Sequence, residues 1–189
     1  MPDSAVLDPT VPAVPAVLAP VDDIRDDATE ALVHELTARN LTIAVAESLT
    51  GGLLAAELIR IPGASKVVNG ALVSYNTELK RTLLGVDSSI LNVHGPVHPD
   101  VAKQMAIGVR THLAVGGRRA EVGVSTTGVA GPFAQDGLEP GTVFIGLAKG
   151  TGSWAIPLHL TGDRDAVRAE TVRRAVEAVR DLIARDDPE

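Results

Sequence analysis

The residue of this chain best placed to do chemistry is a serine where a short apolar strand turns into a helix. It lies in Ala44-Val45-Ala46-Glu47-Ser48-Leu49-Thr50-Gly51-Gly52. Ile43, Ala44 and Val45 read as a buried strand, and Leu53 to Ile59 as an apolar helical face. Thr50, Gly51 and Gly52 then fall at the helix start. Unpaired backbone N–H groups and the positive dipole end there can hold an anion or stabilise an alkoxide. On this reading the Ser48 hydroxyl is either a nucleophile or a phosphate ligand.

A serine nucleophile needs a base beside it. His34 and His112 lie inside predicted helices, and His159 ends a strand. His94 and His98 sit in the loop before Pro99, and neither has an acidic partner at a telling spacing. The G-x-S-x-G elbow is absent, and S-x-x-K does not occur at Ser48. Lysine is scarce, present only as Lys66, Lys80, Lys103 and Lys149. A lysine loses its proton readily when desolvated, which an arginine does not, so it can serve as base toward a serine. Lys80 follows the only tyrosine in Ser74-Tyr75-Asn76-Thr77-Glu78-Leu79-Lys80. With Tyr75 at a strand end and Lys80 on the next helical turn, both side chains can point into one cleft. The plainer alternative makes Lys80 part of a solvated helix face and Tyr75 an edge residue.

Two more loops suit anions. Ser125-Thr126-Thr127-Gly128-Val129-Ala130-Gly131-Pro132 supplies hydroxyls and backbone N–H groups directly after a strand, where open α/β sheets bind ligands. Gly162-Asp163-Arg164 puts a guanidinium at the start of the last helix. Both are also ordinary turn and cap sequences. Three such loops in one small chain make a phosphorylated small molecule a reasonable ligand class.

The elements that position these residues alternate. A helix carries Ala28, Ala31, Leu32, Leu36 and Ala38 at helical spacing, with Asp22 or Asp23 as its cap and Asn40 as its end. Strand 41–46, helix 50–60 and strand 66–75 follow. Helix 77–84 is capped by Asn76 and stopped by Gly85. Pro99 opens a helix over 99–114, and strand 122–126 leads into the Thr127 loop. Strands 142–148 and 154–159 form a hairpin, and a final helix runs from near Asp163 to about Ala184. This order predicts a layered α/β/α domain with a mixed, mostly parallel sheet and a late β-hairpin. Residues 1–21 hold Pro2, Pro9, Pro12, Pro15 and Pro20 and read as an extended, poorly ordered tail. Residues 22–189 read as a single domain.

Composition narrows the function classes. The chain has 189 residues and a net charge of −7, which argues against a nucleic-acid surface. It has no cysteine, so a disulfide framework or a cysteine zinc site is impossible. No acidic cluster suggests a metal. No apolar run reaches the ~18 residues of a membrane span, and the N-terminus lacks a secretory pattern. A cytoplasmic protein is the expectation.

The motifs A-E-S-x-T-G-G (Ala46–Gly52), I-P-G-A-S (Ile61–Ser65), S-Y-N-x-x-x-K (Ser74–Lys80), L-L-G-V (Leu83–Val86), H-G-x-V (His94–Val97), T-G-V-A-G-P (Thr127–Pro132), G-T-V (Gly141–Val143) and G-D-R (Gly162–Arg164) occur in order. Together, over about residues 24–186, the chain resembles the CinA C-terminal domain family, whose members include stand-alone nicotinamide-nucleotide amidases. The resemblance implies hydrolysis of the carboxamide of nicotinamide mononucleotide to nicotinate mononucleotide and ammonia. It implies Ser48 as nucleophile, Lys80 as general base and Tyr75 as a helper that orients or relays the proton. Thr127 and Arg164 would contact substrate or stabilise the transition state, with Gly128 beside them. The amides of Thr50, Gly51 and Gly52 are then expected to form the oxyanion hole. No metal or cofactor is implied, and a homodimer is expected.

Two alternatives stand beside the amidase: a non-catalytic nucleotide-binding or regulatory module linked to competence or DNA damage, and an amidase for another small amide. Some positions depart from the family pattern. Leu49 stands where Cys is common, and His98 where a Ser cap is common. Phe133-Ala134-Gln135-Asp136-Gly137-Leu138-Glu139-Pro140 replaces a glycine-rich segment and follows directly from the Thr127 strand end, at the substrate mouth.

Overall fold

A computed structural model of the chain describes residues 27–185. Helices α1 (Ala28–Ala38), α2 (Leu53–Ile59), α3 (Thr77–Leu84), α4 (Ser88–His94), α5 (Pro99–His112) and α6 (Arg164–Ala184) flank five strands. The strands are β1 (Ile43–Glu47), β2 (Val68–Val73), β3 (Val122–Gly128), β4 (Thr142–Lys149) and β5 (Gly152–His159). They form one sheet in the order β2-β1-β3-β4-β5. β1 pairs in parallel with β2 and β3, whereas β3–β4 and β4–β5 are antiparallel. The α/β layering and the hairpin match the sequence reading. The sheet is mixed and mostly parallel in strand direction, with β4 alone running against the other four.

β1 is buried along its whole length because a strand is paired on each side and helices cover both faces. Its side chains alternate accordingly. Ile43 and Val45 join the cluster with Leu32, Leu36, Leu54, Leu58, Val176 and Val179 of α1, α2 and α6. Ala44 and Ala46 join Leu84, Val101, Met105 and Val109 of α3 and α5 on the opposite face. Small residues there let α5 approach closely. A Cβ built on Gly123 would lie 2.0 Å from the Ala106 carbonyl oxygen, and one on Gly146 would lie 2.1 Å from that of Ala102. A core nearly free of aromatic rings is thus closed by bringing backbones together.

Several boundaries shift. Asp27 caps α1, accepting from the amides of Thr29 and Glu30 at 3.1 Å each. The expected caps Asp22 and Asp23, and the tail at residues 1–21, lie outside the described residues. Lys66 belongs to a 3₁₀ turn before β2, α5 ends at His112, and β3 runs on through Thr127 and Gly128. α4 was not expected. Asp87 caps it through Ser89 N–H at 2.7 Å, and it buries no residue fully, so it carries almost no hydrophobic pattern to read.

Because β1, β2 and β3 are mutually parallel, their carboxyl ends share one edge of the sheet. Connections leave β1 toward β2 on one side and return to β3 on the other. That is the switch point at which open α/β sheets bind ligands.

Candidate active site

Ser48 is the first residue beyond β1. Its N–H donates to the Thr126 carbonyl at 3.0 Å, so the β1–β3 ladder continues through the serine and fixes its backbone. The chain then turns sharply, with Gly51 and Gly52 in left-handed conformations (φ 61° and 102°) and Gly51 N–H bonded to the Ser48 carbonyl at 3.2 Å. Arg168 of α6 reaches across to the turn, its Nε donating to the Leu49 carbonyl at 3.1 Å and a terminal nitrogen to that of Thr50 at 3.3 Å. The Thr50 hydroxyl is buried against that of Thr126 at 2.8 Å.

The helix start that should have served as an anion site is already occupied from within. Glu47, fully buried, accepts from the amides of Gly52 at 2.9 Å, Leu54 at 3.2 Å and Ala55 at 2.9 Å. The carboxylate satisfies the orphan donors of α2 and complements its dipole. Of the amides expected to form the oxyanion hole, those of Gly51 and Gly52 are therefore already taken, and that of Thr50 is not. Gly51 and Gly52 spend their N–H groups inside the turn, and Thr50 turns its side chain into the core while its backbone N–H meets no acceptor among the described residues. The sequence carried a signal for this. Glu47 is an acid at a strand position whose side chain must face α2, five residues before that helix can begin.

Lys80 lies on the first turns of α3, which Asn76 caps through Glu78 N–H at 2.9 Å. It is 1% exposed, far from a solvated helix face. Its Nζ is 3.0 Å from Ser48 Oγ and donates to the Ser74 carbonyl at 2.6 Å. Ser74 is itself held by its N–H to the Glu47 carbonyl at 2.8 Å. Among the described residues no carboxylate pairs with the ammonium, and burial pulls its pKa down from 10.5 to about 8. A neutral Nζ can donate one N–H to Ser74 and turn its lone pair toward the Ser48 hydroxyl, which is the arrangement of a base on a nucleophile.

Around this pair opens a cleft of about 170 Å³, lined by Ser48, Lys80, Tyr75, Thr127, Gly128 and Arg164 together with Leu49, Thr77, Pro96, Val97, Val129–Gly131, Phe133 and Gln135. Tyr75, 63% exposed, shows no hydrogen bond to Ser48 or Lys80; its hydroxyl accepts from Arg164 at 3.2 Å. Arg164 also donates to the Gly131 carbonyl at 2.8 Å. Thr127 is buried and gives its hydroxyl proton to the Pro96 carbonyl at 2.7 Å. That leaves its oxygen as an acceptor toward the cleft. No histidine lines it. His98 caps α5 through Asp100 N–H and stacks on His94 at 4.3 Å. Among the described residues no group of three or more His, Asp or Glu could hold a metal, and no helix is long and apolar enough to cross a membrane.

The model of the CinA C-terminal domain family matches residues 25–183. The chain belongs to that family. A CinA-like protein of Frankia casuarinae is 44% identical over 160 residues, covering 84% of this chain and 36% of the relative. The chain thus spans only about a third of the length of the curated relatives it matches. Among solved structures, a CinA superfamily protein from Klebsiella pneumoniae superposes with a TM-score of 0.79 at 30% identity, covering 84% of this chain and 96% of that one. A competence/damage inducible protein from Agrobacterium tumefaciens gives 0.76 at 31% identity, covering 85% and 98%. In this CinA domain the segment after Pro132 forms a small loop closed by the Gln135–Leu138 bridge, and it presents Phe133 at the cleft mouth.

Proposed function

We propose that this CinA domain is an amidohydrolase that converts nicotinamide mononucleotide to nicotinate mononucleotide and ammonia through a serine acyl-enzyme. The observation that carries the reading is the buried Lys80 amine 3.0 Å from Ser48 Oγ, in a cleft at the switch point of the sheet. Lys80 takes the hydroxyl proton as Ser48 Oγ bonds to the amide carbon. The proton passes to the leaving nitrogen as the C–N bond breaks, and ammonia departs. Water, deprotonated by the same amine, then cleaves the acyl ester. The amides of Leu49 and Thr50 follow the nucleophile and donate to no acceptor among the described residues, so they are the donors this turn leaves for the oxyanion. Thr127, Gly128 and Arg164 stand along the cleft to hold the rest of the substrate.

The test is ammonia release from nicotinamide mononucleotide by wild type, Ser48→Ala and Lys80→Ala. Turnover confined to wild type supports the reading, and wild-type activity no faster than Ser48→Ala overturns it. Binding without turnover would favour a non-catalytic module. An amidase for a different small amide has one observation behind it: Phe133 and Gln135, from the segment that departs from the family pattern, line the cleft.

A further inference from the structure

Aromatic side chains are rare in this chain, which has two Phe, one Tyr and one Trp. Two of those four, Tyr75 and Phe133, line the cleft at Ser48. They are 63% and 83% exposed, so neither contributes to a core cluster. Among the described residues the only ring stacking is between His94 and His98, so Tyr75 and Phe133 do not close on each other. They stand as separate faces at one mouth.

The Tyr75 hydroxyl and the loop that carries Phe133 are both tied down. Arg164 donates at once to the Tyr75 hydroxyl (3.2 Å) and to the carbonyl of Gly131, two residues before Phe133 (2.8 Å), tying the end of β2 to the loop after β3. The Phe133 loop is itself closed by paired backbone bonds between Gln135 and Leu138, at 3.0 and 2.9 Å. Asp136 and Gly137 take left-handed conformations at its tip (φ 51° and 78°). At the neck of the loop, a Cβ on Gly131 would lie 3.1 Å from Pro140. A large apolar ring exposed to water gains nothing for folding, whereas a flat ligand ring laid against it removes both surfaces from water. Of the remaining side chains of the cleft six are polar, Ser48, Thr77, Lys80, Thr127, Gln135 and Arg164, and five are aliphatic, so Tyr75 and Phe133 are its only aromatic faces.

We infer that Tyr75 and Phe133 form an aromatic clamp for a flat heteroaromatic ring bearing the amide, with Phe133 as the residue that sets ring specificity in this chain. The inference rests on the amidase reading of the same cleft. It makes ring recognition a property of the segment in which this chain departs from its family's pattern. Ring-on-aromatic stacking, measured by alanine substitution, translates to roughly tenfold or more in affinity.

The experiment uses the full chain carrying Ser48→Ala, titrated calorimetrically with nicotinate mononucleotide and, separately, with ribose 5-phosphate, which lacks the ring. Adding Phe133→Ala is expected to weaken nicotinate mononucleotide about tenfold and leave ribose 5-phosphate unchanged, with Phe133→Tyr restoring the loss. In the Ser48 enzyme the Phe133→Ala loss falls on KM rather than kcat. Equal losses for both ligands, or no loss for either, would overturn the clamp. The two readings fail separately. Ring-dependent binding with no ammonia release sinks the amidase and keeps the clamp. Ammonia release with ring-independent binding sinks the clamp and keeps the amidase.

Discussion

Glu47 and Gly52 are joined by a 2.9 Å hydrogen bond, carboxylate to backbone N–H, that changes what the start of α2 can do. With Leu54 and Ala55 also donating to the same carboxylate, the helix end holds an anion supplied by the residue beside Ser48. A free helix start next to Ser48 would attract any phosphate or carboxylate in the cell. With Glu47 in place the turn is neutralised and rigid, and Ser48 faces a cleft whose charge comes from Lys80 and Arg164 instead.

Removing Glu47 should therefore unfold as well as inactivate. Glu47→Ala leaves buried N–H groups without an acceptor and opens a void, a loss of about 4 kcal/mol. Glu47→Gln keeps the shape but turns an NH₂ toward backbone donors, and should cost about 2 kcal/mol. Urea unfolding would show both as lowered midpoints at unchanged slope. Equal stability of all three proteins would mean that the carboxylate is not what holds the turn.

The chemistry-bearing residues were more legible in the sequence than their hydrogen-bond roles. Asn76 as cap, Gly85 as stop and the Asp163 cap of α6 follow from local rules, because capping depends on residues within one turn. Pairing Lys80 with Ser48 needed the family resemblance, since thirty-two residues separate them and spacing alone also allowed a solvated lysine. Glu47 as the internal anion escaped notice although an acid in an apolar strand signals it, because which amides it reaches depends on how α2 packs against the sheet. α4 was missed because it buries no residue fully and so leaves little periodic signal. The Phe133 segment was placed at the substrate mouth by its position after the Thr127 strand end, but which of its side chains line the cleft depended on the shape of the β3–β4 connection.

Close packing of α5 on the sheet yields a second stability test. Gly123→Ala would drive a methyl to 2.0 Å from the Ala106 carbonyl oxygen, and Gly146→Ala to 2.1 Å from that of Ala102. Backbone atoms cannot swing aside as a side chain can, so each substitution should cost about 3 kcal/mol. At Gly150, left-handed (φ 57°) in the β4–β5 turn but with open space around it, alanine should cost only about 1 kcal/mol. Thermal melts of the three variants would rank them, and a Gly150→Ala loss matching the other two would contradict the packing argument.

Arg164 ties Tyr75 to Gly131 but is exposed, so its loss should be felt in the cleft rather than the fold. Arg164→Ala should shift stability by less than about 0.5 kcal/mol while raising KM for nicotinamide mononucleotide about tenfold. Tyr75→Phe keeps the ring and removes only the hydroxyl that accepts from Arg164, so its KM should rise about threefold. A kcat collapse in Tyr75→Phe at unchanged KM would instead make the hydroxyl a proton carrier in the reaction.

Lys80 makes pH the most direct probe of the dyad. Burial lowers its pKa from 10.5 to about 8, so between those values the unfolded chain holds a proton that the folded chain has lost. Stability on account of this group therefore rises with pH across that window, by on the order of 3 kcal/mol, and is at its poorest below about pH 8. Activity moves the same way, because only the neutral amine can take the Ser48 proton. The rate should climb tenfold per pH unit on the acid side and level off near pH 8. Lys80→Met keeps the buried length without the charge. It should abolish ammonia release, unfold at higher urea than wild type at pH 7, and flatten the stability gain between pH 8 and 10. A Lys80→Met protein less stable than wild type at pH 7 would show that the bonds to Ser74 and Ser48 outweigh the desolvation of the amine.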